Sequence, residues 1–161
     1  MIKRIIFVLG SNIGNRNSYL NQAIKELIKE LELKDIKQSF TMHSNALLKN
    51  NSPKDWDMEF FNVAISGDIN LKTFQPQKIL LLIKKIEQNL GRIDRGKWAP
   101  REIDIDIAII EGIAINEKNL QIPHAALFER DFFIKTIKDI ERNLLNNLVS
   151  SFYINNGATK P

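Results

Sequence analysis

The stretch Glu102-Ile103-Asp104-Ile105-Asp106-Ile107-Ala108-Ile109-Ile110 alternates acid with isoleucine and then ends in an apolar run. A period of two is that of an extended strand. Residues two apart on a strand project from one side, roughly 6.5–7 Å from each other. The pattern therefore predicts that Ile103, Ile105, Ile107 and Ile109 line a core while Asp104 and Asp106 share the other face. Carboxylates that close resist joint ionisation unless a cation lies between them. Hard oxygen ligands with no His or Cys beside them favour Mg²⁺, which takes one or two carboxylates together with substrate phosphates. A solvated acidic strand face would alternate in the same way, and the preceding segment separates the two readings. Arg92, Arg95, Lys97 and Arg101 bring four cations within ten residues, with Gly96 and Pro100 shaping the backbone. Cations that grip phosphate oxygens next to a metal-holding strand are the two halves of a nucleotide–metal site.

This strand needs partners. Ile2–Leu9 reads as a short β-branched strand stopped by Gly10. From about Asn15 to Leu33, a stripe of Leu20, Ala23, Ile24, Leu27, Ile28 and Leu31 predicts a helix, with Asn15, Asn17 or Ser18 as its cap. A strand is expected around Ile36–Ser44, a surface loop over 45–58, and a clearer strand over Phe60–Leu71. Pro76 opens a second helix carrying Ile79, Leu82, Ile83, Ile86 and Leu90 inward, and Gly91 ends it. Behind 102–110 come a short hairpin around Glu111-Gly112 and a last helix after Arg130 with Phe133, Ile137 and Ile140. The order predicts an α+β fold: a ferredoxin-like β-α-β-β-α-β core with an extra C-terminal hairpin and helix. Residues 1–161 read as one domain, its polar tail from about Ser150 expected to be poorly ordered.

Three further groups bear on chemistry. Trp98, a flat ring among arginines, suits either a cover over a nucleotide base or an anchor on the core. His124 and Arg130 can donate to phosphate oxygens, and Phe132 beside them can stack on a heterocycle. Phe60 and Asn62 share a strand face, an aromatic surface beside an amide that both donates and accepts, while Phe61 points to the core. Gly10-Ser11-Asn12-Ile13-Gly14 lies between strand and helix, but it lacks the Gly-Lys-Ser/Thr ending of a phosphate-binding loop and reads as a tight turn.

Composition narrows the class. With 161 residues, 43% hydrophobic and 26% charged, the chain can bury a core. A net charge of +4, from 23 basic and 19 acidic residues, suits an anionic small molecule and is too modest to imply nucleic acid. The absence of cysteine excludes disulfides and thiolate metal sites. No run approaches the ~20 apolar residues of a membrane span, so a cytoplasmic enzyme without membrane partners is expected. A single-stranded RNA platform would need an aromatic strand motif and a basic stripe, and neither is present.

Lys97-Trp98-Ala99-Pro100-Arg101-Glu102-Ile103-Asp104-Ile105-Asp106-Ile107 resembles the signature of the 6-hydroxymethyl-7,8-dihydropterin pyrophosphokinase family. So do, in family order, Leu9-Gly10-Ser11-Asn12, Phe61-Asn62-Val63-Ala64, Glu87 with Gly91-Arg92, and Pro123-His124 with Arg130-Asp131-Phe132. The resemblance implies transfer of pyrophosphate from ATP to the hydroxymethyl group of the dihydropterin, releasing AMP, in folate biosynthesis. It implies two Mg²⁺ ions on Asp104 and Asp106. Arg92, Arg101, His124 and Arg130 would meet ATP phosphates, Trp98 and Glu87 would lie near the nucleotide, and Phe60, Asn62, Phe132 and Ser44 would form the pterin site. Arg92 and Arg101 join the two aspartates as the expected catalytic set, in a monomer. Met42-His43-Ser44-Asn45-Ala46 stands where the family has Tyr-x-Thr-x-Pro, Ser44 replacing the Thr. Ala125 replaces a frequent aromatic, and Asp94 or Arg95 takes the place of a second loop arginine.

Overall fold

The computed structural model describes residues 1–157. The ten-residue strand β1 (Ile2–Ser11) lies between β4 (Phe60–Asn70) and β5 (Asp104–Ile110), antiparallel to both. β2 (Lys34–Gln38) and β3 (Met42–Ser44) both pair with the far edge of β4. Helices α1 (Arg16–Glu30) and α2 (Pro76–Asn89) cover one face of the sheet. The other face is covered by α3 (Asp131–Asn156). β6 (Ile115–Glu117) and β7 (Leu120–Ile122) form a separate two-stranded sheet. This is the ferredoxin-like α+β core that the element order predicts, with hairpin and helix appended.

Strand alternation sorts the core into two layers. Ile5, Phe7 and Leu9 of β1 pack with Leu20, Leu27, Ile79 and Ile83 from the helices α1 and α2. Ile6 and Val8 face Phe133, Ile137 and Leu145 of α3. Asn15 caps α1 by accepting from the Ser18 amide at 3.1 Å.

Four local expectations are corrected. The strand over 36–44 is two strands, because the Ala64 amide is taken by the Ser39 hydroxyl at 2.8 Å, which interrupts the main-chain ladder. Ile109 does not share a face with Ile107. Phe7 pairs with Ile107 and Ile6 with Ile109, so Ala108 is an extra residue, and this bulge turns Ile109 toward α3. The chain turns at Glu111-Gly112, but the hairpin is β6–β7, connected through residues 118–119. Finally, α3 continues through the polar segment to Asn156, bending where Glu141 leaves helical geometry (φ −136°, ψ 52°). The last residues of the expected loose tail, 158–161, lie outside the described residues.

Candidate active site

Asp104 and Asp106 stand opposite Gly10 and Val8 of β1, both on the α3 side of the sheet. Each carboxylate already has cationic or imidazole company. Arg92 Nη1 donates to Asp104 Oδ1 at 2.9 Å, and Arg101 Nη1 to Asp104 Oδ2 at 3.0 Å. His124 Nε2 lies 3.5 Å from Asp106 Oδ1. Burial, then the charge of Asp106, pushes the Asp104 carboxyl up, with Arg101 and Arg92 opposing the shift. Burial works against charge on His124, yet the Asp106 hydrogen bond, with the charges of Asp106 and Asp104, holds its imidazolium above the usual range.

Local folding places these groups. Gly91, with φ +96°, closes the end of α2, and the Arg92 amide bonds back to the Glu87 carbonyl at 3.1 Å. That reversal brings the Arg92 guanidinium against Glu87 and Asp104 together. Glu87 is buried, and its Oε2 accepts both Arg92 Nη1 and the Ile105 amide at 3.0 Å, satisfying main chain between the two aspartates. Burial raises the Glu87 carboxyl to about 7, with Arg92 opposing and Asp104 reinforcing the rise. The bulge at Ala108 has a counterpart role, since its carbonyl accepts the His124 amide at 2.9 Å and so holds the imidazole near Asp106.

The Arg101 backbone is held by a residue that the sequence reading treated as part of a turn. Asn12, 1% exposed, accepts the Arg101 amide at 2.8 Å, donates its own amide to the Arg101 carbonyl at 3.1 Å, and donates Nδ2 to the Met58 carbonyl at 3.1 Å. Its sequence signals are its place directly after the strand-ending Gly10-Ser11 and its part in the Leu9-Gly10-Ser11-Asn12 block. Gly10, expected to stop the first strand, lies within it, and a Cβ there would sit 3.1 Å from Asn62 Oδ1 and 3.3 Å from Phe60 Cδ1. Any larger residue would make both side chains shift by a few tenths of an ångström on the strand surface.

Two cavities meet at the aspartates. The smaller, about 270 Å³, is walled by Phe60, Asn62, Trp98, Arg130 and Phe132, with Asp104, Asp106 and Arg101 along one side. The larger, about 640 Å³, is cationic: Lys84, Arg92, Arg95, Lys97 and Arg101 line it with Glu87, and the same two aspartates close it. Phe132, Phe133 and His124 form a ladder of rings 5.0 and 5.1 Å apart, and the Arg130 guanidinium lies 4.9 Å from the Phe132 ring. Trp98, at φ +69°, belongs to the wall of the smaller cavity. Both Asp94 and Arg95 line the larger one, where Arg95 forks onto the Glu102 carboxylate and Asp94 accepts the Gly96 amide at 2.8 Å. The Arg95 bond holds the Glu102 carboxyl below its usual range, with burial opposing.

The amide of Asn62 is less versatile than its residue type implies. Nδ2 donates to the Met42 carbonyl at 3.1 Å and to Ser44 Oγ at 2.8 Å, so Oδ1 is what remains for the cavity. Ser44 stands behind Asn62, outside the residues lining the cavity. Among the described residues, no cluster of three or more His, Cys, Asp or Glu could hold a metal. The protein's donors are two carboxylates, a set that suits a hard cation completing its shell with water and phosphate oxygens.

The sequence has known relatives. A family model described as 7,8-dihydro-6-hydroxymethylpterin-pyrophosphokinase matches residues 6–142. The 2-amino-4-hydroxy-6-hydroxymethyldihydropteridine pyrophosphokinase of Aquifex aeolicus is 38% identical over 142 residues, covering 86% of this chain and 80% of that protein. The folate synthesis bifunctional protein of Chlamydia caviae is 37% identical over 137 residues, covering 84% of this chain. The chain spans 30% of that relative's length and 29% of the bifunctional protein of Chlamydia muridarum. Among solved structures, a Plasmodium falciparum HPPK-DHPS triple mutant with pteroate matches with a TM-score of 0.61 at 15% identity, over 96% of this chain and 45% of that one. That likeness concerns the fold. The family match takes in β5, its arginines, Asn62 and His124, and the chain belongs to the 7,8-dihydro-6-hydroxymethylpterin-pyrophosphokinase family.

Proposed function

We propose that this chain transfers pyrophosphate from ATP to the hydroxymethyl group of 6-hydroxymethyl-7,8-dihydropterin, giving the pterin diphosphate and AMP. One observation carries the proposal: an aromatic cavity and a cationic cavity share a single wall, made of Arg101, Asp104 and Asp106. A flat heterocycle and a triphosphate bound on the two sides of that wall bring hydroxyl and phosphorus together where the carboxylates stand.

In this reading Phe60 and Phe132 flank the pterin and Asn62 Oδ1 accepts from its N–H edge. Arg92 and Arg101 release Asp104 as phosphate oxygens reach their guanidiniums, while His124 and Arg130, which line the smaller cavity, donate to the phosphates across the shared wall of Asp104 and Asp106. Trp98 covers the smaller cavity from the 92–101 loop, and Glu87 keeps Arg92 and the Ile105 amide in place. Asp104 and Asp106 would hold two Mg²⁺ ions, which supply charge neutralisation on the triphosphate when bound. The hydroxymethyl oxygen bonds to the β-phosphorus, the bond from that phosphorus to the α-phosphate bridging oxygen breaks, AMP leaves, and the hydroxyl proton passes to solvent. Positioning and charge compensation account for the catalysis, so no protein nucleophile is required.

Incubation with ATP, Mg²⁺ and the hydroxymethyl-dihydropterin, followed by chromatography of the nucleotides, tests this directly. AMP appearing in step with pterin consumption is expected. ADP as the product, or no turnover, overturns the assignment.

A further inference from the structure

Phe61 faces away from the aromatic cavity, yet it is gripped more tightly than a strand residue at a sheet margin requires. The His43 ring stacks on it at 4.2 Å with planes 8° apart, and the Arg16 guanidinium carbon sits 3.8 Å from its centroid. Two groups that near one ring cannot share a face, so Phe61 is sandwiched. In the sheet its neighbours are Ser11 of β1 and His43 of β3, which matches approach from opposite flanks. Glu59, two residues earlier, joins the same cluster. Its carbonyl accepts Arg16 Nη1 at 2.8 Å, and its carboxylate lies 3.5 Å from His43 Nδ1.

The cluster ties together both stems of the exposed segment 45–58. The entering stem is β3, fixed by His43 on Phe61 and by the Asn62 amide on Met42 and Ser44. The leaving stem is fixed through Glu59 and Phe61 to the first turn of α1. Successive strand residues point to opposite faces, so whatever fixes Phe61 also fixes the direction of Phe60. We infer that Arg16 and His43 are positioning residues: by clamping Phe61 from both faces they aim the Phe60 ring into the aromatic cavity. Neither residue lines that cavity. The inference rests on the proposed use of Phe60 as a wall for the heterocycle.

Four variants test it: Arg16→Ala, His43→Ala, Phe61→Leu and His43→Phe. The readouts are the dissociation constants of 6-hydroxymethyl-7,8-dihydropterin and of ATP, and amide hydrogen exchange over residues 58–62. Loss of one cation–π or stacking partner at a partly exposed site is expected to weaken pterin binding about two- to fivefold. ATP affinity should be unchanged, exchange over 58–62 should accelerate, and His43→Phe should restore both pterin binding and slow exchange. The inference is overturned by unchanged exchange in the two alanine variants, by equal losses for ATP and pterin, or by His43→Phe behaving like His43→Ala. Should the unaltered protein bind no pterin, the proposed function fails, while the exchange measurements still decide whether the clamp exists.

Discussion

Asp104 is engaged by Arg92 on one oxygen and Arg101 on the other, and Asp106 by His124, so neither carboxylate is an unpaired buried charge. That company sets what substitutions do. Asp104→Asn or Asp106→Asn keeps the size of the side chain but turns one acceptor oxygen into an NH2 donor. At Asp104 that forfeits one of the two arginine bonds, so the thermal midpoint should fall modestly there and stay closer to the unaltered value for Asp106→Asn. Turnover should fall by at least about 100-fold in both, the scale of losing one charge-stabilising group. Retention of near-normal turnover by either variant removes the metal assignment. Glu87 is predicted to show itself through pH. Its folded carboxyl lies at about 7 against an ordinary 4.5. Between those values the folded protein keeps a proton that the unfolded chain has released. The stabilisation is therefore complete at low pH and lost as pH rises through the window, by at most about 1.4 kcal/mol per pH unit. Denaturant midpoints of nucleotide-free wild type and Glu87→Gln should diverge in slope between about pH 4.5 and 7 and run parallel outside it. Parallel slopes throughout would place the Glu87 carboxyl at its ordinary value. The paired aspartates were legible in the sequence because alternation is local. The second engagement of Asn62 was not, because the carbonyl of Met42 that consumes its donor is 20 residues away.

At the scale of elements, what the sequence conceals is mostly where main-chain groups find partners. The bulge at Ala108 is invisible in an unbroken run of isoleucine and alanine, although it decides both the face of Ile109 and the seat of His124. The bend of α3 is similar. Glu141 leaves helical geometry where its carboxylate accepts from Arg4 Nε at 2.5 Å and Ser66 Oγ at 2.6 Å. Arg4 Nη1 also donates to the Asp35 carbonyl at 2.7 Å and to Asp68 Oδ1 at 3.1 Å, and Nη2 to Ser66 Oγ at 2.9 Å. Arg4 reads in the sequence, with Lys3 before it, as part of a charged pair at the start of an apolar strand, and its partner lies 137 residues on. Both side chains are close to 10% exposed, so removing the arginine strands a mostly buried carboxylate. Arg4→Met alone is expected to cost about 3 kcal/mol in chemical denaturation, and Arg4→Met with Glu141→Leu to recover most of that loss. If the double variant is no more stable than the single, the network is not what holds the bend.

For the molecule as a whole, the order of elements was legible because each helix and strand carries its own periodicity, and short connections leave few ways to pair them. The two cavities were not legible, since their walls combine β1, β4, β5, the 92–101 loop and the start of α3. Their shared wall makes ligand binding a property of the assembled sheet, which yields a prediction through linkage. A ligand that binds only the folded state stabilises it by about 2.7 kcal/mol at one hundred times its dissociation constant. For a chain of this length that corresponds to a rise of about 5–10 °C in melting temperature. ATP with Mg²⁺ should produce a shift of that size. A chelator should reduce it to the smaller shift given by ATP alone, because Arg92, Arg95 and Lys97, which line the larger cavity, would remain to attract the phosphates without the metal. Asp106→Asn should remove the chelator-sensitive part and leave the remainder, whereas Arg92→Ala should weaken both. A shift in the unaltered protein that is indifferent to chelator would mean that the arginines hold the nucleotide by themselves, and the carboxylate pair would lose its role as a metal site.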